Sequence, residues 1–261
     1  MLEKRVIYEI PGMREVTKRS VIYASDNDVP LTMDIYYPHD LPATSQLPVV
    51  IFVFGFPNSV VLERFGIKLK DSGQYVSWGQ LAAASGLIAI TYETTQPEKD
   101  IYSVLAYVRK NARTLQIDGD RMGIWACSGN VPTALAVLVN ASADLKCSVL
   151  YYGVMFDWGG SNEMEELTNR IEAAYPCKAK SVDNLSQEIP LFVVRTGEDN
   201  PQLNKSIAYF VCEAAKRNLP LTFVNYSKGQ HGFDLENDTL ASQEIIKHTL
   251  AFLHEHLFKP M

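Results

Sequence analysis

The sequence predicts an α/β protein with one mostly parallel β-sheet, helices on both faces, antiparallel strands at the N-terminal end and a short inserted cap. Three observations carry this. From residue 49 onward, short apolar runs rich in β-branched residues alternate with segments whose apolar residues recur at helical spacing. Such alternation gives parallel strands, whose right-handed crossovers lay helices on both sheet faces. The first forty residues differ, with strand patterns separated by Pro-Gly and Asp-Asn-Asp turn material, and residues 155–188 break the alternation altogether.

Taken in order, residues 6–10, 16–23 and 31–37 read as antiparallel strands. Residues 49–54, Val-Val-Ile-Phe-Val-Phe, form a run suited to a strand buried on both faces, and it ends at Gly55-Phe56-Pro57. A helix over 77–84, a strand over 87–92 and a helix over 97–115 follow. Residues 122–127 are the next strand, 129–140 a helix, 147–152 and 191–194 strands. The series closes with a helix over 203–217, a strand over 221–226 and a helix over 239–257. Residues 155–188, rich in Asn, Glu and Gly with one helical stretch at 164–174, are expected to cap the carboxyl edge of the sheet; a disordered surface loop is the plainer alternative.

The chain of 261 residues is 47% hydrophobic and 21% charged, enough apolar material for one large core in a single domain. A net charge of −6 without Lys/Arg clusters gives no reason to bind nucleic acid. No apolar run approaches the roughly 18 to 20 residues that span a bilayer, so no membrane partner is expected. The first residues lack a signal-peptide pattern, which points to the cytoplasm. Cys127, Cys147, Cys177 and Cys212 lack metal-pair spacing and read as buried thiols. No metal or other cofactor is expected. A homodimer is left open.

The most informative segment is Ala126-Cys127-Ser128-Gly129-Asn130, which puts a serine between a buried strand and a helix start. A side chain on so tight a turn projects above the sheet, and its neighbours must be small, hence the usual G-x-S-x-G. Ala126 costs little space, and Asn130 tolerates unusual backbone angles better than most residues. Pro132 suits the first helical turn, where its missing N–H has no intrahelical partner to lose. The same segment also fits an ordinary capping serine.

A nucleophilic serine needs a base, and the base an orienting acid. The strand at 191–194 runs into Thr196-Gly197-Glu198-Asp199, which makes Asp199 the acid with Glu198 in reserve. The strand at 221–226 precedes Gly229-Gln230-His231-Gly232, which makes His231 the base. His39, His248, His254 and His256 read as surface residues. Backbone N–H groups of Gly129 and Phe56 fit the two oxyanion donors, although Gly55-Phe56-Pro57 also fits a plain turn. A thiol nucleophile at Cys127 would require Trp125 where a small residue is needed, so a core thiol is favoured there.

With these residues assembled, the chain resembles the α/β-hydrolase superfamily, and within it the dienelactone-hydrolase and acetyl-xylan or feruloyl-esterase-like carboxylesterases. The resemblance rests on Val21-Ile22-Tyr23, Met33 to Pro38, Gly55-Phe56-Pro57, Ile117 to Arg121, Gly197-Glu198-Asp199 and Gln230-His231-Gly232-Phe233 in that order. It implies an eight-stranded sheet, no cofactor, and hydrolysis of a small-molecule ester through an acyl-serine. Dienelactone hydrolases carry cysteine where this chain has Ser128, and many related esterases carry His-Gly-Gly where it has Phe54-Gly55-Phe56. A peptidase- or thioesterase-like hydrolase and a ligand-binding protein without turnover are the competing readings.

Overall fold

The computed structural model describes residues 3–258, which build the eight-stranded sheet that the resemblance implies. Strands β1 (Thr17–Asp26) and β2 (Val29–Tyr37) form an antiparallel hairpin. At its tip Asn27 and Asp28 have φ of 47° and 64°, the positive pair that a type I′ turn demands. β2 runs antiparallel to β4 (Ile88–Tyr92). Every later pairing is parallel, through β3 (Leu47–Phe52), β5 (Ile117–Cys127), β6 (Cys147–Tyr151), β7 (Leu191–Thr196) and β8 (Leu221–Tyr226). The strand order is β1-β2-β4-β3-β5-β6-β7-β8.

Among the described residues eight α-helices accompany the strands: α1 (Asn58–Phe65), α2 (Gly73–Ala84), α3 (Pro97–Asn111), α4 (Val131–Asn140), α5 (Glu163–Ile171), α6 (Pro201–Lys216), α7 (Phe233–Glu236) and α8 (Leu240–Phe258). The period-2 alternation of β5 sorts them onto faces. Trp125 packs on Trp78 of α2 with ring centroids 5.2 Å apart, and Gly123 on the same face leaves room for Leu257 of α8. The intervening Met122, Ile124 and Ala126 are fully buried on the opposite face, and α3 and α4 both pack against this strand. Fully buried Phe52, Trp78, Trp125 and Tyr151 centre the core beneath the carboxyl ends of β3, β5 and β6.

The structure corrects the sequence reading in three places. Residues 6–10 are not a strand: the Val6 N–H donates to Ser77 Oγ (2.8 Å) and the Ile7 N–H to the Asp234 carbonyl (2.9 Å), so this segment docks on α2 and α7 instead of extending the sheet. Residues 58–65, to which the sequence reading assigned no element, form α1. β5 begins at Ile117, five residues before the expected start at Met122. The insertion at 155–188 is packed rather than a loose loop, with fully buried Met164 against Val154 and Leu203.

Asp34, fully buried in β2, accepts hydrogen bonds from Lys18 Nζ and Lys70 Nζ (3.1 Å each) and from Ser20 Oγ. Burial alone would push its carboxyl up, but the Ser20, Lys18 and Lys70 partners outweigh burial and hold it below the usual range. Lys70→Met is expected to cost on the order of 3 kcal/mol in urea unfolding at neutral pH, because it leaves a buried carboxylate short of a partner. A depressed folded-state value stabilises above the unfolded carboxyl value of about 4, and that stabilisation is lost as pH falls through the folded one. The gap between wild type and Lys70→Met should therefore narrow in acid.

Candidate active site

Ser128 sits at the carboxyl end of β5, where an extended Cys127 (φ −135°) gives way to Ser128 at φ 55°. A left-handed non-glycine residue costs of order 1 to 3 kcal/mol and persists only where the surroundings enforce it. Here a turn over Ser128–Asn130 leads directly into α4 with Pro132 in its first turn, so the chain reverses and the serine stands above the sheet edge. Gly129 keeps this turn close to its neighbours: a Cβ would come within 2.7 Å of the Phe56 ring and 3.0 Å of the Ile171 side chain, and those side chains would have to shift.

His231 lies between β8 and α7, and Asp199 lies between β7 and α6. Their loops are joined backbone to backbone, Gly197 N–H to the Tyr226 carbonyl (2.8 Å) and Glu198 N–H to the Gly229 carbonyl (2.9 Å). The result brings the three sequence-predicted residues into one line. Ser128 Oγ is 2.8 Å from His231 Nε2, and His231 Nδ1 is 2.7 Å from Asp199 Oδ2. The Asp199 side chain is only 5% exposed and accepts further hydrogen bonds from Thr196 Oγ1 (2.9 Å) and the Asn200 N–H (2.6 Å). Burial raises its carboxyl, but His231, Asn200 and Thr196 together outweigh burial and hold it below the ordinary range. Glu198 is exposed, and no hydrogen bond of its carboxylate reaches His231 among the described residues. Of the other histidines, His254 is half-buried beside Ser85 (3.3 Å) rather than on the surface.

The expected oxyanion donors are both at the site. Gly129 N–H opens a helical turn, where amides have no intrahelical partner. Along the Phe56 loop, the N–H groups of Val53, Phe54, Gly55 and Asn58 are all taken, by the Trp125 carbonyl, Tyr92 Oη, Asn130 Oδ1 and the Thr94 carbonyl. Phe56 N–H has no hydrogen bond to any described residue, and Pro57 has no N–H to offer.

Ser128 and His231 open onto a cavity of about 470 Å³. Its apolar lining is Phe56, Val60, Val61, Phe65, Leu69 and Tyr75, with Leu235 of α7. The insertion, expected to shape this pocket, lines none of it. It instead braces the wall from behind: Arg64 of α1 donates to the Ile171 carbonyl (3.1 Å) and pairs with Glu172, and Ala174 N–H donates to the Gly55 carbonyl (2.7 Å). Helix α1 was therefore the element that sequence reasoning missed, and Gly66 at φ 70° just after it is the stop signal that could have revealed it.

Cys127 lies on the cavity floor, buried, with its Sγ 3.5 Å from Tyr75 Oη. Burial, and then the nearby Asp234 carboxylate, push its thiol up to about 12, which leaves it inert as a nucleophile. Cys212, read as buried, is exposed on α6. Asp234 itself is wholly buried and accepts hydrogen bonds from Tyr152 Oη (2.6 Å), Trp78 Nε1 (2.8 Å) and Gln74 Nε2 (3.3 Å). Tyr152, left-handed at φ 34°, packs its ring against His231 with centroids 4.7 Å apart and so backs the imidazole. Among the described residues, no group of three or more His, Cys, Asp or Glu side chains is placed to hold a metal ion, and no helix is long and apolar enough to cross a membrane.

No protein-family model matches the sequence, and no curated protein matches it. Solved structures match over nearly its whole length. Esterase 2 of the planctomycete Thermogutta terrifontis, with propionate bound, superposes with a TM-score of 0.72 at 18% identity, covering 96% of this chain and 98% of that one. A bacterial brefeldin A esterase, described as a homologue of human hormone-sensitive lipase, gives 0.71 at 14% identity over 98% of this chain and 81% of its own. A fungal esterase from Rhizomucor miehei gives 0.71 at 18% identity, over 93% and 84%. The chain has the α/β-hydrolase fold.

Proposed function

We propose that this chain is a serine hydrolase that cleaves carboxylic esters of small molecules through an acyl-serine intermediate. The observation that carries the reading is the continuous line from Ser128 Oγ through His231 to buried Asp199, with the serine raised above the sheet on a left-handed turn. His231 Nε2 takes the Ser128 proton as Oγ attacks the ester carbonyl, and Asp199 fixes the tautomer with Nδ1–H and offsets the imidazolium charge. The N–H groups of Phe56 and Gly129 hold the oxyanion. Collapse breaks the C–O bond, and His231 returns its proton to the departing alcohol. Water then repeats the cycle on the acyl-serine and releases the acid.

The apolar wall of α1 and Leu69 favours an uncharged, apolar acyl or alcohol group. The three similar structures are all esterases, and Thermogutta terrifontis esterase 2 is also known phosphonylated by sarin, which supports the same class of reaction. The finer kinship to dienelactone-hydrolase and feruloyl-esterase-like enzymes is part of this reading and rests on the sequence landmarks alone. Hydrolysis of p-nitrophenyl esters from acetate to octanoate, beside matched nitroanilides and thioesters, tests it. Turnover of the esters with the anilides left intact is expected. Preference for anilide or thioester, or no turnover by folded protein, would contradict it.

A further inference from the structure

We infer that Asn130 is a positioning residue that holds the Phe56 oxyanion donor in register with Ser128, an inference that rests on the ester-hydrolase reading. Asn130 occupies the place where elbows of this type usually have glycine, and it is 4% exposed. Its side-chain Oδ1 accepts the Gly55 N–H at 2.7 Å, and its Nδ2 donates to Tyr75 Oη at 2.8 Å. The orientation of the amide follows from chemistry, since an N–H can face only the oxygen end.

Tyr75 is fixed in turn. It is buried on α2, with Phe54 edge-on at 4.6 Å and Phe52 at 6.0 Å between ring centroids. A rigid core side chain therefore grips the Asn130 amide, and that amide grips the residue immediately before the donor. The other end of Gly55 is also held, since its carbonyl accepts the Ala174 N–H at 2.7 Å. In a trans peptide the C=O and the following N–H point in opposite directions, so the bond to Ala174 aims the Phe56 N–H away from the insertion. Gly55 can approach this closely only because it lacks a side chain: a Cβ would lie 2.6 Å from the Gly129 carbonyl oxygen and 2.9 Å from Asn130 Cα. With glycine or alanine at 130, the Gly55 N–H and Tyr75 Oη lose their shared partner, and contact alone would set the distance between the two donors.

The test compares wild type, Asn130→Ala and Tyr75→Phe, with rates expressed per serine titrated by a fluorophosphonate so that misfolded protein is not counted. Complete loss of an oxyanion donor costs about 100- to 1,000-fold in kcat. Misplacing one through Asn130→Ala is therefore expected to cost about 10- to 100-fold in kcat, with KM within about 3-fold. Affinity for a trifluoromethyl ketone, whose serine hemiketal places an oxyanion at the same point, should weaken by the same factor as kcat/KM. Tyr75→Phe keeps the Gly55 acceptor and removes its anchor, so both quantities should fall in the same direction by about 3- to 10-fold. A lowered Tm with kcat per titrated serine and ketone affinity both unchanged would mark a structural role and overturn the inference. If Asn130→Ala does not fold, Tyr75→Phe decides on the same two readouts. Wild type that neither labels nor hydrolyses esters would overturn the hydrolase reading itself, whereas active wild type with indifferent variants overturns this inference alone.

Discussion

Ser128→Ala is expected to lower kcat for ester hydrolysis by on the order of 10⁴- to 10⁶-fold, as removal of a triad nucleophile does elsewhere. The size follows from the role. Without Oγ there is no acyl-enzyme, and what remains is attack by water beside an intact oxyanion site and a bound substrate. Stability should move by less than about 1 kcal/mol, since Ser128 Oγ bonds to His231 alone among the described residues and the backbone turn is enforced by its neighbours. Steady-state kinetics with a p-nitrophenyl ester, alongside thermal unfolding, measures both. Wild-type turnover in this variant would remove Ser128 from the mechanism.

Asp199→Asn is expected to lower kcat by about 10³- to 10⁴-fold while KM changes little. Asparagine preserves shape, but an amide carries no charge to offset the imidazolium and can present a donor to Nδ1 where an acceptor is needed. Because the wild-type carboxyl is held below the ordinary range, it is ionised throughout the neutral region, and its contribution to rate is lost only as pH falls through that lowered value. Titration of Asp199 therefore does not shape the neutral part of the rate profile. Glu198→Gln serves as the control: the side chain points to solvent, and kcat should stay within about 2-fold of wild type.

The triad was legible in the sequence because each member sits where a local pattern changes. Ser128 stands between a buried strand and a helix with proline in its first turn, and Asp199 and His231 stand in the loops that end two later strands. Their order along the chain then follows the connectivity of a parallel sheet. What was hidden depends on contacts between distant residues. Residues 6–10 have a strand pattern, and they fail to be a strand because Ser77 and Asp234 capture their backbone donors. Helix α1 has no side-chain cap and spans only eight residues, so no start signal set it apart in the stretch after Gly55-Phe56-Pro57. Asn130 was visible only as a departure from the usual elbow. Its use becomes plain when Gly55 and Tyr75, remote in sequence, meet it in space.

The central claim is that Ser128 is a nucleophile activated by His231. It is tested most directly by reacting the folded protein with a fluorophosphonate probe and mapping the modified peptide by mass spectrometry. The account predicts a single adduct on Ser128, formed rapidly by wild type, slowly by His231→Ala and not at all by Ser128→Ala, with Cys127 unmodified. An unlabelled wild-type protein, or an adduct at any other residue, would contradict it.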